Sequence, residues 1–168
     1  MSPKRKPKAL RRQQRPQGQV LDEPFVWAIY NPPAPSALLR ALGGVLTASS
    51  ILYLEGTGIA KDVRYFLSRH RIPPRQRIAP DTLSPPRTCY HLPATQAVLV
   101  EVAALFDAWP AKEVAHHIKV YDRKGILLDW HDADTGWPAF LSSRFTVQDI
   151  HLLTTELGCE CERVEFGA

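Results

Sequence analysis

The chain has 168 residues and carries 21 Lys and Arg against 17 Asp and Glu, a formal charge of +4; this length suits one ordinary domain and excludes two large ones. With 45% hydrophobic residues it can bury a real core, while 15 prolines against 9 glycines predict Pro-rich connections rather than a wholly disordered chain. No run approaches the roughly 18 to 20 apolar residues of a membrane span, and the basic N-terminus lacks the apolar stretch of a secretory signal.

Three cysteines, Cys89, Cys159 and Cys161, are too sparse and too odd in number for a disulfide framework. Together these features predict a soluble, cytoplasmic protein. Cys89 with His91 and Cys159 with Cys161 offer four soft zinc ligands on alternating strand positions, but structural zinc sites use wider knuckles, so small buried thiols are the expected reading.

The charge is segregated along the chain. Lys4, Arg5, Lys6, Lys8, Arg11, Arg12 and Arg15 stand in residues 1–19 with no acid, which leaves 14 cations and 17 anions, or −3, for the remainder. Residues 1–20 therefore read as a disordered basic tail that can neutralise phosphates without reading sequence, ahead of a single domain over 21–168. Within that domain Arg64, Arg69, Arg71, Arg75, Arg77 and Arg87 face only Asp81 across residues 64–87, whereas residues 101–165 hold twelve acids and six bases. Arg71, Arg75 and Arg77 join the tail cations as candidate partner-binding residues.

In chain order, the apolar, aromatic run from Phe25 to Tyr30 predicts a buried central strand stopped by Asn31, Pro32 and Pro33. Ser36 is placed to cap a helix whose Leu38, Leu39 and Leu42 share a face until Gly43 and Gly44. Residues 50–54 predict a second strand, and Ile59, Val63, Phe66 and Leu67 follow helical spacing from Gly58 to about His70. Six prolines in residues 71–93 exclude a long helix or a central strand there, and at most a short piece near Arg77 and Ile78 is expected to pair. Pro93 and Thr95 then open a helix with Val98, Val102, Leu105, Phe106 and Trp109 as its stripe.

Val114 to Asp122 and Ile126 to His131 flank a turn ending in Gly125 and predict a hairpin. Pairing Asp122 with Ile126 sets Val120 opposite Leu128 and Ile118 opposite Trp130 on an apolar face. On the other face Lys119 meets Asp129 and His117 meets His131. Thr146 and Asp149 start a capping-box helix with Ile150, Leu153 and Leu157 inward and Gly158 at its end. A last strand is expected over residues 159–166. Helices between strands suggest crossovers with some parallel pairing, so the expected fold is α/β: one mixed sheet covered by about four helices.

Three groups can carry chemistry. Gly56, Thr57 and Gly58 follow Glu55 where a strand should give way to a helix, a place where backbone amides can hold an anion, although a glycine-permitted turn fits equally. Asp132 and Asp134 form a D-x-D beyond the second hairpin strand, suited either to magnesium or to a solvated acidic turn. His117 and His131, placed across the hairpin with Asp132 and Asp134 nearby, can bind a metal or act as a pH-sensitive pair. An apolar strand ending in Glu-Gly (residues 51–56) and a later one ending in D-x-D (residues 126–134) resemble the Toprim domain of topoisomerases, primases and related nucleases. That resemblance implies magnesium held by Asp132 and Asp134, with Glu55 as acid or base in phosphoryl transfer on nucleic acid.

The resemblance covers those two motifs alone. No nucleophile elbow, zincin helix or Cys-His signature accompanies them. The leading expectation is therefore a non-catalytic binding protein of accessory, inhibitory or immunity type that uses its charged surfaces, without a committed cofactor, toward a protein or nucleic-acid partner.

Overall fold

The structure, a computed structural model, describes residues 25–82 and 86–164. The basic tail and residues 165 and 166 of the expected last strand lie outside the described residues. Among the described residues, seven strands and four α-helices follow in the order β1 (Phe25–Ile29), α1 (Pro35–Leu42), β2 (Ile51–Gly56), α2 (Lys61–His70), β3 (Thr88–Pro93), α3 (Gln96–Ala108), β4 (His117–Tyr121), β5 (Ile126–Trp130), β6 (Ala139–Ser142), α4 (Val147–Leu157) and β7 (Glu162–Arg163). They form one sheet in the order β3-β2-β4-β5-β6-β1-β7. The α/β class, the single sheet and the four helices are as the sequence predicts.

The parallel pairing is not: every pairing in the sheet is antiparallel. A helix between two strands forces a parallel pair only when those strands become neighbours. Here β1 leads through α1 to β2, four places away in the sheet, while β2 reaches its neighbour β3 through α2 plus a long crossing that lets the chain reverse. β1 is also not central, because it lies between β6 and the two-residue edge strand β7.

One face of the sheet supplies Leu52, Leu54, Leu92, Ile118, Val120, Leu128, Trp130 and Leu141 to the main core. Leu38, Leu39 and Leu42 of α1, Val63 and Leu67 of α2, Leu99 and Val102 of α3, and Ile150 and Leu153 of α4 belong to the same cluster, so all four helices cover that face. Each fully buried Leu or Ile adds about 1.5–3 kcal/mol of burial. Period-two alternation sends the intervening residues to the opposite face, where Ile51, Tyr53, Tyr121 and Ile126 make a smaller cluster with Phe25, Ile72 and Ile78. Ile72 and Ile78 come from the crossing that follows α2, whose residues 71–82 lie over this second face.

Local signals explain most element ends. α4 has the full capping box, with Thr146 Oγ1 accepting from the Asp149 amide and Asp149 accepting from the Thr146 amide, and ends at Gly158 in the left-handed region, φ 63°. Thr95 caps α3. Ser36 does not cap α1: the chain enters through Ala34 with Pro35 in the first turn, where its fixed φ suits a helix start and its missing N–H has no partner to lose. The hairpin register holds from Ile118 to Val120, but Tyr121 rather than Asp122 pairs with Ile126. A bulge absorbs the extra residue, Leu127, and turns Tyr121 and Ile126 together toward the crossing.

Two strands lie where the sequence pattern predicts none. β3 takes residues 88–93 of the Pro-rich stretch, and it is an edge strand, the position where Pro93 removes no ladder bond. β6 has four residues, too few for alternation to be read. Replacing Thr146 by Ala should cost about 1 kcal/mol through loss of the cap, seen in urea unfolding as a lower midpoint at unchanged slope.

Candidate functional site

On the second face, β2, β4 and β5 lie side by side and bring their polar residues into one patch beneath the crossing. Glu55 is opposite His117, Tyr53 is opposite Lys119, and Lys119 is opposite Asp129. His131 follows β5 directly, and its ring stacks on that of His117 with centroids 4.4 Å apart. Glu55 is fully buried and Lys119 only 3% exposed. Charged groups taken this far from water need partners, and the crossing supplies them.

Glu55 accepts four contacts. The Thr82 amide donates to Oε1 at 2.7 Å, the Asp81 amide to Oε2 at 3.0 Å, and the Tyr53 hydroxyl to Oε2 at 2.9 Å; His116 donates its amide to the Glu55 carbonyl at 2.8 Å. Burial by itself would raise the Glu55 pKa, but these donors outweigh it and hold the carboxyl below its ordinary value. Burial pushes the Tyr53 phenol well above its usual range, so Tyr53 remains a donor to Glu55, with Cys89 Sγ 3.2 Å from its oxygen.

Lys119 Nζ lies 2.9 Å from Asp81 Oδ2 and 3.3 Å from Asp129 Oδ1. Burial alone would lower the Lys119 pKa; the two carboxylates reverse that and raise it. Asp129 is pushed up, because it is buried and shares one ammonium with a second acid, Asp81. Asp81 Oδ2 and Asp129 Oδ1 thus share one buried ammonium.

Asp132 sits in the left-handed region, φ 48°, a conformation that Asp tolerates better than most residues. Its amide donates to His117 Nδ1 at 3.0 Å, and its carboxylate lies 3.7 Å from that nitrogen and 3.2 Å from His131 Nε2. Burial first, then the neighbouring His131, keep His117 below the ordinary histidine range and hence neutral at pH 7.

Asp134 goes elsewhere. Its Oδ2 is 2.9 Å from His116 Nδ1, while His116 Nε2 faces Thr57 Oγ1 at 3.2 Å. With Nδ1–H donating to the carboxylate, His116 Nε2 accepts from the Thr57 hydroxyl, which makes a hydroxyl–imidazole–carboxylate line. It also ties the exit of β2 to the entry of β4 and to the turn at Ala133–Thr135.

The sequence-predicted groups thus meet at one end of the sheet, but not in the expected partnership. Asp132 turns to His117 and His131, and Asp134 to His116, so the D-x-D does not present two carboxylates to one ion. Glu55 is filled by donors from Tyr53 and the crossing. Among the described residues, Glu55, Asp132 and Asp134 therefore do not gather as the magnesium site that the resemblance implies.

Among the described residues, the group whose ligand atoms approach one another is Asp81, His117 and His131, all within 4.8 Å. Gly56 is explained by packing: a Cβ there would meet Ile59 Cγ1 at 2.9 Å, while Thr57 is committed to His116. The cysteines do not converge with histidine, and Cys89 is exposed rather than buried. Asp81, Lys119 and His116 are the site residues that the sequence motifs did not single out; the Lys119 and Asp129 pairing in the hairpin register was the available signal for one of them. Comparison with protein-family models, curated proteins and solved structures finds no match to this chain.

Glu55 gives a pH-dependent prediction. Its folded pKa is depressed, so its contribution is complete above the ordinary value of 4.5 and is lost as pH falls through the lower folded value. Glu55→Gln should therefore destabilise the fold by about 2 kcal/mol at neutral pH. The gap to the wild type should close in acid, as measured by urea unfolding across a pH series.

Proposed function

We propose that the chain is a non-catalytic, cytoplasmic binding protein of accessory, inhibitory or immunity type whose partner is anionic. One observation supports this reading above the others. Lys61, Arg64, Arg69, Arg71, Arg75, Arg77 and Arg87, on α2 and the crossing, are all exposed, and Arg64, Arg71, Arg75 and Arg77 have no ion-pair partner among the described residues. Asp81, the acid within the crossing, is turned inward to Lys119 and does not offset them.

Tyr65 is 67% exposed between Arg64 and Arg69, with the Arg69 guanidinium 5.7 Å over its ring. Cations interleaved with an exposed aromatic ring suit a nucleic-acid strand, whose phosphates release counterions and whose bases stack. The basic residues Lys4, Arg5, Lys6, Lys8, Arg11, Arg12 and Arg15 would extend the same electrostatic attraction. Among the described residues no helix is long and apolar enough to cross a membrane.

The test is fluorescence anisotropy with single-stranded and duplex oligonucleotides over a salt series. The Arg71→Ala, Arg75→Ala, Arg77→Ala triple variant should lower the slope of log K against log salt by about 2 to 3, near one per cation. Deleting residues 1–19 should lower it further. Binding and slope unchanged in both variants would overturn the reading, and oligonucleotide indifference with Arg-dependent capture by an acidic protein would move it from nucleic acid to protein.

A further inference from the structure

We infer that Asp81, His117 and His131 form a binding site for a transition-metal dication of the zinc class, with Asp132 orienting both histidines. The three residues come from separate segments, the crossing, β4 and the end of β5, and one ligand atom of each lies within 4.8 Å of the others. The site does not rest on the polyanion reading above.

The carboxylate of Asp132 carries the argument. Histidines that bind metals commonly give their outer ring N–H to a carboxylate, which fixes the ring and its tautomer. Asp132 stands in that position for His131, with Oδ2 3.2 Å from Nε2, and it also fixes the His117 ring, whose Nδ1 accepts from the Asp132 amide at 3.0 Å with Oδ1 3.7 Å away. That leaves His117 Nε2 and His131 Nδ1 as the inner nitrogens, and His131 Nδ1 is 3.7 Å from Asp81 Oδ2. Asp81 Oδ2 is buried with Lys119 Nζ at 2.9 Å on one side, and a carboxylate oxygen has a second lone pair for a cation. Two imidazoles and one carboxylate suit zinc, cobalt, nickel or copper; magnesium prefers an all-oxygen set. Three protein ligands leave a fourth position for water.

Loading requires two local changes. The rings are 17° from parallel, so no ion can lie in both ring planes until His131 turns, and its 47% exposed side chain has room to do so. The His117 proton moves from Nε2 to Nδ1, exchanging the Asp132 amide for the Asp132 carboxylate as its partner. Lys119, 2.9 Å from Asp81, opposes a second cation and would be left to Asp129. Affinity should accordingly fall below that of closed Cys and His structural sites.

The experiment is calorimetric titration of the chelator-stripped full chain with zinc at micromolar concentration, repeated in a Cys89→Ser, Cys159→Ser, Cys161→Ser background that removes competing thiols. One zinc per chain should bind in both, and cobalt should give the intense visible absorption of a four-coordinate site. Asp81→Asn or His131→Ala should abolish binding. Asp132→Asn should weaken it about 10- to 100-fold, and the exposed His151→Ala should leave it unchanged. Circular dichroism checks that each variant is folded; His131 is exposed and its loss leaves the core intact. No saturable binding in the cysteine-free chain, binding that survives both Asp81→Asn and His131→Ala, or preference for magnesium over zinc would overturn the site.

Discussion

A sheet with all of its helices on one side must cover its other face, and here the cover is a segment poorly equipped for the task. The crossing between α2 and β3 is rich in proline, which donates no amide hydrogen and cannot extend a ladder. It is held instead at a few points: Ile72 donates to the His91 carbonyl, Arg75 to the Tyr121 hydroxyl, and Asp81 and Thr82 to Glu55. Of these, the buried Glu55 carboxylate is the strongest acceptor, because a charged acceptor in a low-dielectric setting makes hydrogen bonds roughly twice as strong as a neutral one. An unpaired Glu55 would be severely destabilising, so the sheet and the crossing require one another. Asp81 reaches Lys119 and the histidines only because Glu55 fixes the amides of Asp81 and Thr82.

How much of this is legible in the sequence depends on how local each cause is. The Thr146 and Asp149 capping box involves two side chains three residues apart, and the hairpin register follows from one turn and two faces, so both are readable. The bulge at Leu127 is not, because a single inserted residue changes which side chain faces the crossing without altering the apolar pattern. β3 hides behind the prolines that define its neighbourhood, and β6 has only four residues. The antiparallel topology depends on which strands become neighbours, a long-range choice that local periodicity does not encode.

The site divides in the same way. Glu55, Thr57, His117, His131, Asp132 and Asp134 stand at strand ends, where pattern and residue type can be read together. The register predicts that His117 meets His131, and their stacked rings follow from it. Which way each carboxylate of the D-x-D turns is decided by the left-handed backbone at Asp132 and the turn that follows, and neither is visible in the residue types. Asp81 arrives through an irregular segment with no periodicity at all, so sequence reading sees only an acid among arginines.

The inward turn of Asp81 changes what charge segregation means. Along the chain, cations concentrate in residues 61–87 and acids toward the C-terminus; within the crossing the separation is between outside and inside. The crossing turns Arg71, Arg75 and Arg77 outward and Asp81 inward against Lys119. The inward half is costly to desolvate and is stable only while fully partnered, whereas the outward half is solvated and costs little. Because the two halves alternate on one short backbone, the presentation of the arginines is set by the buried network rather than by any contact of their own. A loss of charge at Glu55 or Lys119 would therefore act on the basic surface through the backbone that both share, without touching an arginine.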